Sequence, residues 1–127
     1  MNFLHLIVFL PILTTVISFG QVNDQTCKVV TSTISQEYKG ECKKGLANGE
    51  GEAVGAHKYI GTFKDGMPNG TGIYFYTDSL YYNGNFQDGI KEGKGEMHDI
   101  RIGANDSLIK GYWSGGNTGG KLILLTM

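Results

Sequence analysis

Polar and apolar positions alternate with period two along short stretches that restart at Tyr38, Tyr59 and Tyr82, and each restart carries the same set of glycines. Counting from Tyr38, Gly40 falls at plus two, Gly45 at plus seven, Gly49 at plus eleven and Gly51 at plus thirteen. Gly61, Gly66, Gly70 and Gly72 repeat this from Tyr59, and Gly84, Gly89, Gly93 and Gly95 from Tyr82. Plus four holds Cys42, Phe63 and Phe86. A degenerate fourth unit starts at Ile109, with Gly111, Trp113, Gly116 and Gly120 in the matching places and Leu122 where the last glycine would fall. Starts at 38, 59, 82 and 109 are 21, 23 and 27 residues apart, so a fixed core alternates with a variable stretch.

Offsets zero, two and four share one face of a β-strand, which predicts Tyr59, Gly61 and Phe63 side by side. The polar, glycine-bearing run Lys64 to Gly70 reads as a hairpin turn. Thr71 to Tyr76, rich in β-branched and aromatic residues, reads as the return strand. Each unit is therefore predicted as one antiparallel hairpin. Glycine weakens a strand unless a close approach offsets its cost, so the pattern predicts that a ring of one hairpin covers the glycine gap of the next. Tyr74, Tyr76 and Tyr81 fall off that face and form a second candidate contact surface. A lone hairpin is marginal in water, whereas a stack buries a continuous strip. The fold class is all-β, with stacked hairpins over residues 38–127. Residues 21–37, with the β-prone run Cys27 to Ile34, read as an N-terminal cap strand, and Lys121 to Leu125 as the last strand.

This pattern resembles MORN repeats, whose signature is Tyr-x-Gly-x-(Trp or Phe)-x-x-Gly followed by x-x-x-Gly-x-Gly. Tyr59 through Gly72 and Tyr82 through Gly95 match at every signature position; the first unit departs at Cys42, the fourth at Ile109 and its final glycine. The resemblance implies an elongated, twisted antiparallel sheet with an aromatic-lined concave surface. It also implies a role in scaffolding and protein assembly, with phospholipid or membrane association in some members. Repeats of this kind specify a fold far better than a function.

The N-terminus bears on where the chain works. Residues 1–20 contain no Asp, Glu, Lys or Arg, and Phe3 to Phe19 is apolar apart from His5, Pro11, Thr14, Thr15 and Ser18. That is short for a bilayer span of roughly twenty residues, and Ser18 and Gly20 suit signal peptidase. The expectation is a signal peptide over residues 1–20, cleaved after Gly20, with export to the periplasm or the extracellular space. The absence of Lys and Arg from its first residues leaves an uncleaved membrane anchor as the alternative. Cys27 lies too far from the cut to be a lipidation site.

Charge and composition then exclude partners. Eleven basic and twelve acidic side chains leave a net charge of −1, and Lys43-Lys44 is the only adjacent basic pair. Counterion release needs clustered cations, so no nucleic-acid partner is expected. Twenty glycines in 127 residues are about twice the usual share, in keeping with a structural repeat.

Little chemistry is visible. Cys27 and Cys42 form a disulfide in one reading, contributing about 3 kcal/mol by loop entropy; in the other, Cys42 is buried in place of a ring and Cys27 is free. The histidines show no metal-ligand spacing, so neither metal nor cofactor is expected. Asp65 and Asp88 precede glycines and read as turn residues. No nucleophile elbow or phosphate loop is present, so no catalytic residue is assigned. Tyr59, Phe63, Tyr82, Phe86 and Trp113 are the candidate binding residues, because exposed rings concentrate binding energy. Two partner classes follow: an unidentified protein, and phospholipid. The second needs basic turns, and Leu46-Ala47-Asn48, Met67-Pro68-Asn69 and Ile90-Lys91-Glu92 offer a single Lys.

Overall fold

The computed structural model describes residues 26–100 and 107–126, so the expected signal peptide lies outside the described residues. Strands β1 (Glu37–Lys43), β2 (Leu46–Val54), β3 (Lys58–Lys64), β4 (Met67–Phe75), β5 (Leu80–Gln87), β6 (Ile90–Asp99), β7 (Ser107–Ser114) and β8 (Asn117–Thr126) form one open sheet. Their order across the sheet is their order in the chain, and every neighbouring pair is antiparallel. Each sequence unit is one hairpin, from β1–β2 to β7–β8.

The turns are two residues long. Lys44-Gly45, Asp65-Gly66, Asp88-Gly89 and Gly115-Gly116 all have positive φ at both positions, the hairpin geometry whose twist matches that of the flanking strands. The expected turn from Lys64 to Gly70 is thus too long, because β4 already begins at Met67. A bulge reconciles the count. Phe63 pairs with Pro68 and Gly61 with Gly72, so Thr62 alone faces three residues of β4. Gly70 lies among the three with φ +93, a conformation that glycine adopts without strain.

Glycines pair across seven of the eight strands. Gly40, Gly51, Gly61, Gly72, Gly84, Gly95 and Gly111 form one row from β1 to β7. The tyrosine opening each of the first three units lies on this row. A Cβ on Gly51 would stand 2.5 Å from Oη of Tyr38, and one on Gly72 or Gly95 would run into the phenol of Tyr59 or Tyr82. This corrects the expectation that a ring covers the next hairpin's gap: each ring covers the glycine pair of its own hairpin. The cause is a hydrogen bond along the strand. Tyr38 donates to the carbonyl of Glu41 (2.7 Å), Tyr59 to that of Thr62 (3.0 Å) and Tyr82 to that of Asn85 (3.2 Å).

Hairpins are joined by ring edges and by turns. Tyr59 meets Phe63 of its own unit at 5.0 Å between centroids and Phe86 of the next at 5.1 Å; Tyr82 meets Phe86 at 5.2 Å and Trp113 at 5.1 Å. All four are edge-to-face, a geometry worth about 1 kcal/mol each beyond area burial. At the turns, the Gly66 amide donates to the carbonyl of Ala47 (2.8 Å), Gly89 to Pro68 (2.8 Å) and Gly116 to Lys91 (3.1 Å).

The expected cap strand is a strap instead. Residues 27–36 make one bridge, Lys28 to Leu46, and then a 3₁₀ turn at Ser32–Ile34; residues 21–25 lie outside the described residues. The strap runs over the aromatic face rather than along the sheet edge. Lys28 and Val30 donate to the turn carbonyls of Gly45 (2.9 Å) and Gly66 (2.8 Å), and His57 donates back to Thr33 (2.9 Å). Val29 and Ile34 are buried in one cluster with Tyr59 and Phe63. Cys27 and Cys42 are joined by a disulfide, with Cα atoms 5.8 Å apart, at the plus-four place where later units carry a ring. The β1 edge is left with Glu37, Lys39 and Lys43, charges that discourage pairing with another chain.

Two stability outcomes follow. Gly72→Ala forces the pinned Tyr59 ring aside and costs about 2 kcal/mol or more, whereas Gly45→Ala, with open space around its Cβ and only a positive φ to accommodate, costs about 1 kcal/mol. Urea unfolding of the two variants decides it; equal small losses would remove the ring-on-glycine account. Replacing both cysteines by serine lowers stability by about 3 kcal/mol, read as a drop in thermal midpoint that reductant reproduces in the unaltered chain.

Candidate functional site

The candidate binding rings are interior. Tyr59 and Tyr82 are 0% exposed, Phe63 2%, Phe86 5% and Trp113 6%, so packing takes up nearly all of their surface, and of the five only Phe86 is among the residues lining the cavity described next. Tyr74 and Tyr76, expected off this face, are on it. Tyr74 pairs with Tyr59 across β3 and β4, and its ring lies 4.9 Å from that of Tyr76. Tyr81 alone of the three points to the opposite face, stacked on His98 at 4.6 Å and 7°.

What the aromatic face does offer is a cavity of about 290 Å³ beside the strap. Thr31, Thr33, His57, Tyr76, Ile90 and Lys91 are among its lining residues. Its floor is tied together by Tyr74, whose hydroxyl is 2.7 Å from Oγ1 of Thr33 and 2.9 Å from Nδ1 of His57. At one side the Lys91 ammonium lies 4.2 Å from the centre of the Trp113 ring and 5.5 Å from those of Tyr76 and Tyr82. Cations favour such ring faces. Burial alone pushes the Lys91 ammonium below its usual range, and among the described residues no carboxylate makes an ion pair with it.

Lys91 is conspicuous within the repeat. It stands at plus nine, opposite the plus-four ring Phe86, where the first two units have Ala47 opposite Cys42 and Pro68 opposite Phe63. Ala47 and Pro68 are buried. Comparing plus-nine residues would have found Lys91 in the sequence; the Tyr74, His57 and Thr33 group, spread over three segments, has no such signal.

The opposite face is polar and largely self-paired. Lys58 meets Glu52 at 2.8 Å, and Lys110 and His98 meet Glu96 at 2.9 and 3.3 Å. The hydrogen bond from Lys110 holds the Glu96 carboxyl below the usual carboxylate range, with His98 adding to it. Asp65 and Asp88 occupy turn positions with φ of 50° and 49°, in keeping with a structural role.

Residues 59–81 and 82–99 match the family model for the MORN repeat. The chain carries MORN repeats. The matched segments begin at Tyr59 and Tyr82, the same phase as the hairpins. Over 84 residues the chain is 30% identical to alsin of Rattus norvegicus, Mus musculus and Homo sapiens. That alignment covers 60% of this chain and 5% of each relative, so the chain spans a small part of the length of the curated relatives it matches. MORN repeats form a non-catalytic family and generally serve as protein or membrane interaction modules.

The spine tyrosines give this sheet a marked alkaline limit. Burial raises the hydroxyl pKa of Tyr38 and Tyr59 and pushes that of Tyr82 up to about 12. In the unfolded chain they ionise near pH 10. Because the folded pKa is the higher, the stabilisation is complete below about pH 10 and is lost as pH climbs toward 12 and beyond. Urea midpoints should therefore be level from pH 8 to 9.5 and fall steeply above about pH 10, with tyrosinate absorbance rising as the sheet melts. Full tyrosine ionisation in a still-folded chain near pH 10 would contradict the packing.

Proposed function

We propose that this chain is an exported MORN-repeat binding module that scaffolds protein–protein contacts and performs no catalysis. The observation that carries this reading is the strap. It is an extended segment lying on the aromatic face, held by backbone hydrogen bonds at the turns and by Val29 and Ile34 packed onto the rings. A face that holds one extended segment in this way is suited to holding another. Export is supported by the character of residues 1–20 and by the Cys27–Cys42 bridge, a bond that persists in oxidising compartments.

A peripheral phospholipid-binding role is the second reading. Ile90, 49% exposed at a turn, favours it as a shallow apolar tip. Its electrostatic side is weak, since each Lys near an anionic surface contributes about 1 kcal/mol and Ala47 and Pro68, at the positions equivalent to Lys91, are buried and uncharged.

Affinity capture from native envelope extract, run beside an Ile90→Asp variant, separates the two. The unaltered chain is expected to retain one protein reproducibly, and the folded variant to retain several-fold less of it. If no protein is retained while the chain sediments with vesicles, the phospholipid reading replaces the scaffold.

A further inference from the structure

We propose that the pocket at Lys91 binds the carboxylate of an acidic residue in an extended peptide segment of a partner protein, laid on the aromatic face beyond the strap. This rests on the protein-binding reading above and gives it a ligand chemistry. Lys91 replaces the buried, uncharged residues of the equivalent positions, so the repeat does not require it for packing. Its ammonium is held between three rings in a half-buried position, without a carboxylate partner among the described residues. A cation shielded from water and left unpaired is complementary to one anion of matching size. The cavity of about 290 Å³ has room for one or two side chains, at the lower end of small-molecule sites, which begin at about 300 Å³.

The path of the backbone comes from the strap. Lys28 and Val30 use the turn carbonyls of Gly45 and Gly66, after which the strap turns away at Ser32–Ile34. The next turn carbonyl in the series, that of Gly89, receives no backbone donor among the described residues, and Gly89 lines the pocket. An incoming extended segment that donates to Gly89 takes up where the strap leaves off, with its neighbouring side chain at Lys91. The apolar side chain of Ile90, 49% exposed, lines the pocket beside Lys91, so the acidic residue is expected next to apolar ones. A single cation recognises one carboxylate; a lipid surface would call for several.

A displayed library of random linear peptides, panned on the full chain, tests this. Enriched peptides are expected to share an Asp or Glu with apolar neighbours. A labelled synthetic copy of the most enriched peptide should bind about tenfold more weakly, or worse, to Lys91→Met. It should bind unchanged to Lys94→Met, whose side chain lies by Tyr112 on the opposite face. A copy with Gln or Asn in place of the acidic residue should lose as much on the unaltered chain, a readout that does not depend on how Lys91→Met folds. Enriched peptides without an acidic residue, or equal binding to Lys91→Met, overturn the proposal while leaving protein binding in place. An empty selection overturns it too, with envelope capture then judging the scaffold reading separately. Vesicles of phosphatidylcholine and phosphatidylserine that sediment the chain only when Lys91 is intact, with no peptide enriched, overturn both in favour of lipid.

Discussion

The sheet depends on one contact, a tyrosine ring lying flat over a pair of glycines on its own hairpin. Gly61 and Gly72 face each other under Tyr59, and Gly84 and Gly95 under Tyr82; a methyl group at these places would occupy the ring's space. The hydroxyl bond to the carbonyl three residues on fixes where the ring lies. A ring so placed turns its edges to two phenylalanines, or to Phe86 and Trp113, one within its unit and one in the next. Intra-hairpin order and inter-hairpin stacking are thus the same interaction viewed from two sides, which is why nearest-neighbour contacts suffice to propagate the fold.

A single open sheet has no second layer of its own to bury its apolar face, and the first unit also lacks a ring at plus four. In that unit the problem is solved by substitution. Cys42 stands where a ring belongs, and its disulfide to Cys27 brings in the strap, whose Val29 and Ile34 are buried in one cluster with the rings of the later units. The departure from the signature and the extra N-terminal segment are therefore one adaptation. Residues 59–99 match the family model, and β1–β2 ahead of them is a hairpin with the same bulge and the same turn geometry.

Much of this was legible in the sequence because glycine is informative where a Cβ is forbidden. Three units with glycines in one register implied hairpins, and Asp-Gly dipeptides marked two of the turns. Three things were not legible. The phase of the return strand was unmarked, since Gly61 pairs with Gly72 and neither has a side chain to show which face Tyr74 shares. The partner of each ring was ambiguous, because a glycine pair in its own hairpin and one in the next hairpin fit the same spacing; the hydroxyl bond that decides between them is a three-dimensional fact. The strap reads as a strand because Val29, Val30 and Ile34 are β-prone, yet its apolar residues are satisfied by the rings rather than by a ladder. The candidate site was misplaced for a related reason: rings that define the repeat are the ones the repeat consumes.

That consumption shifts the search for function to the positions the signature leaves free. Identical hairpins present identical rungs, and an extended ligand on such a surface could slide by one unit at little cost, much as a strand without a patterned face lacks a fixed register. One rung that differs removes that freedom. Plus nine is suited to this, since it lies on the aromatic face opposite the plus-four residue and its carbonyl already links one turn to the next. Ala47 and Pro68 at that offset are closed over, and Lys91 is the first to present a charge. In a sheet built by repetition, selectivity has to come from such an exception, because a substitution at any signature position would be felt first as a loss of packing.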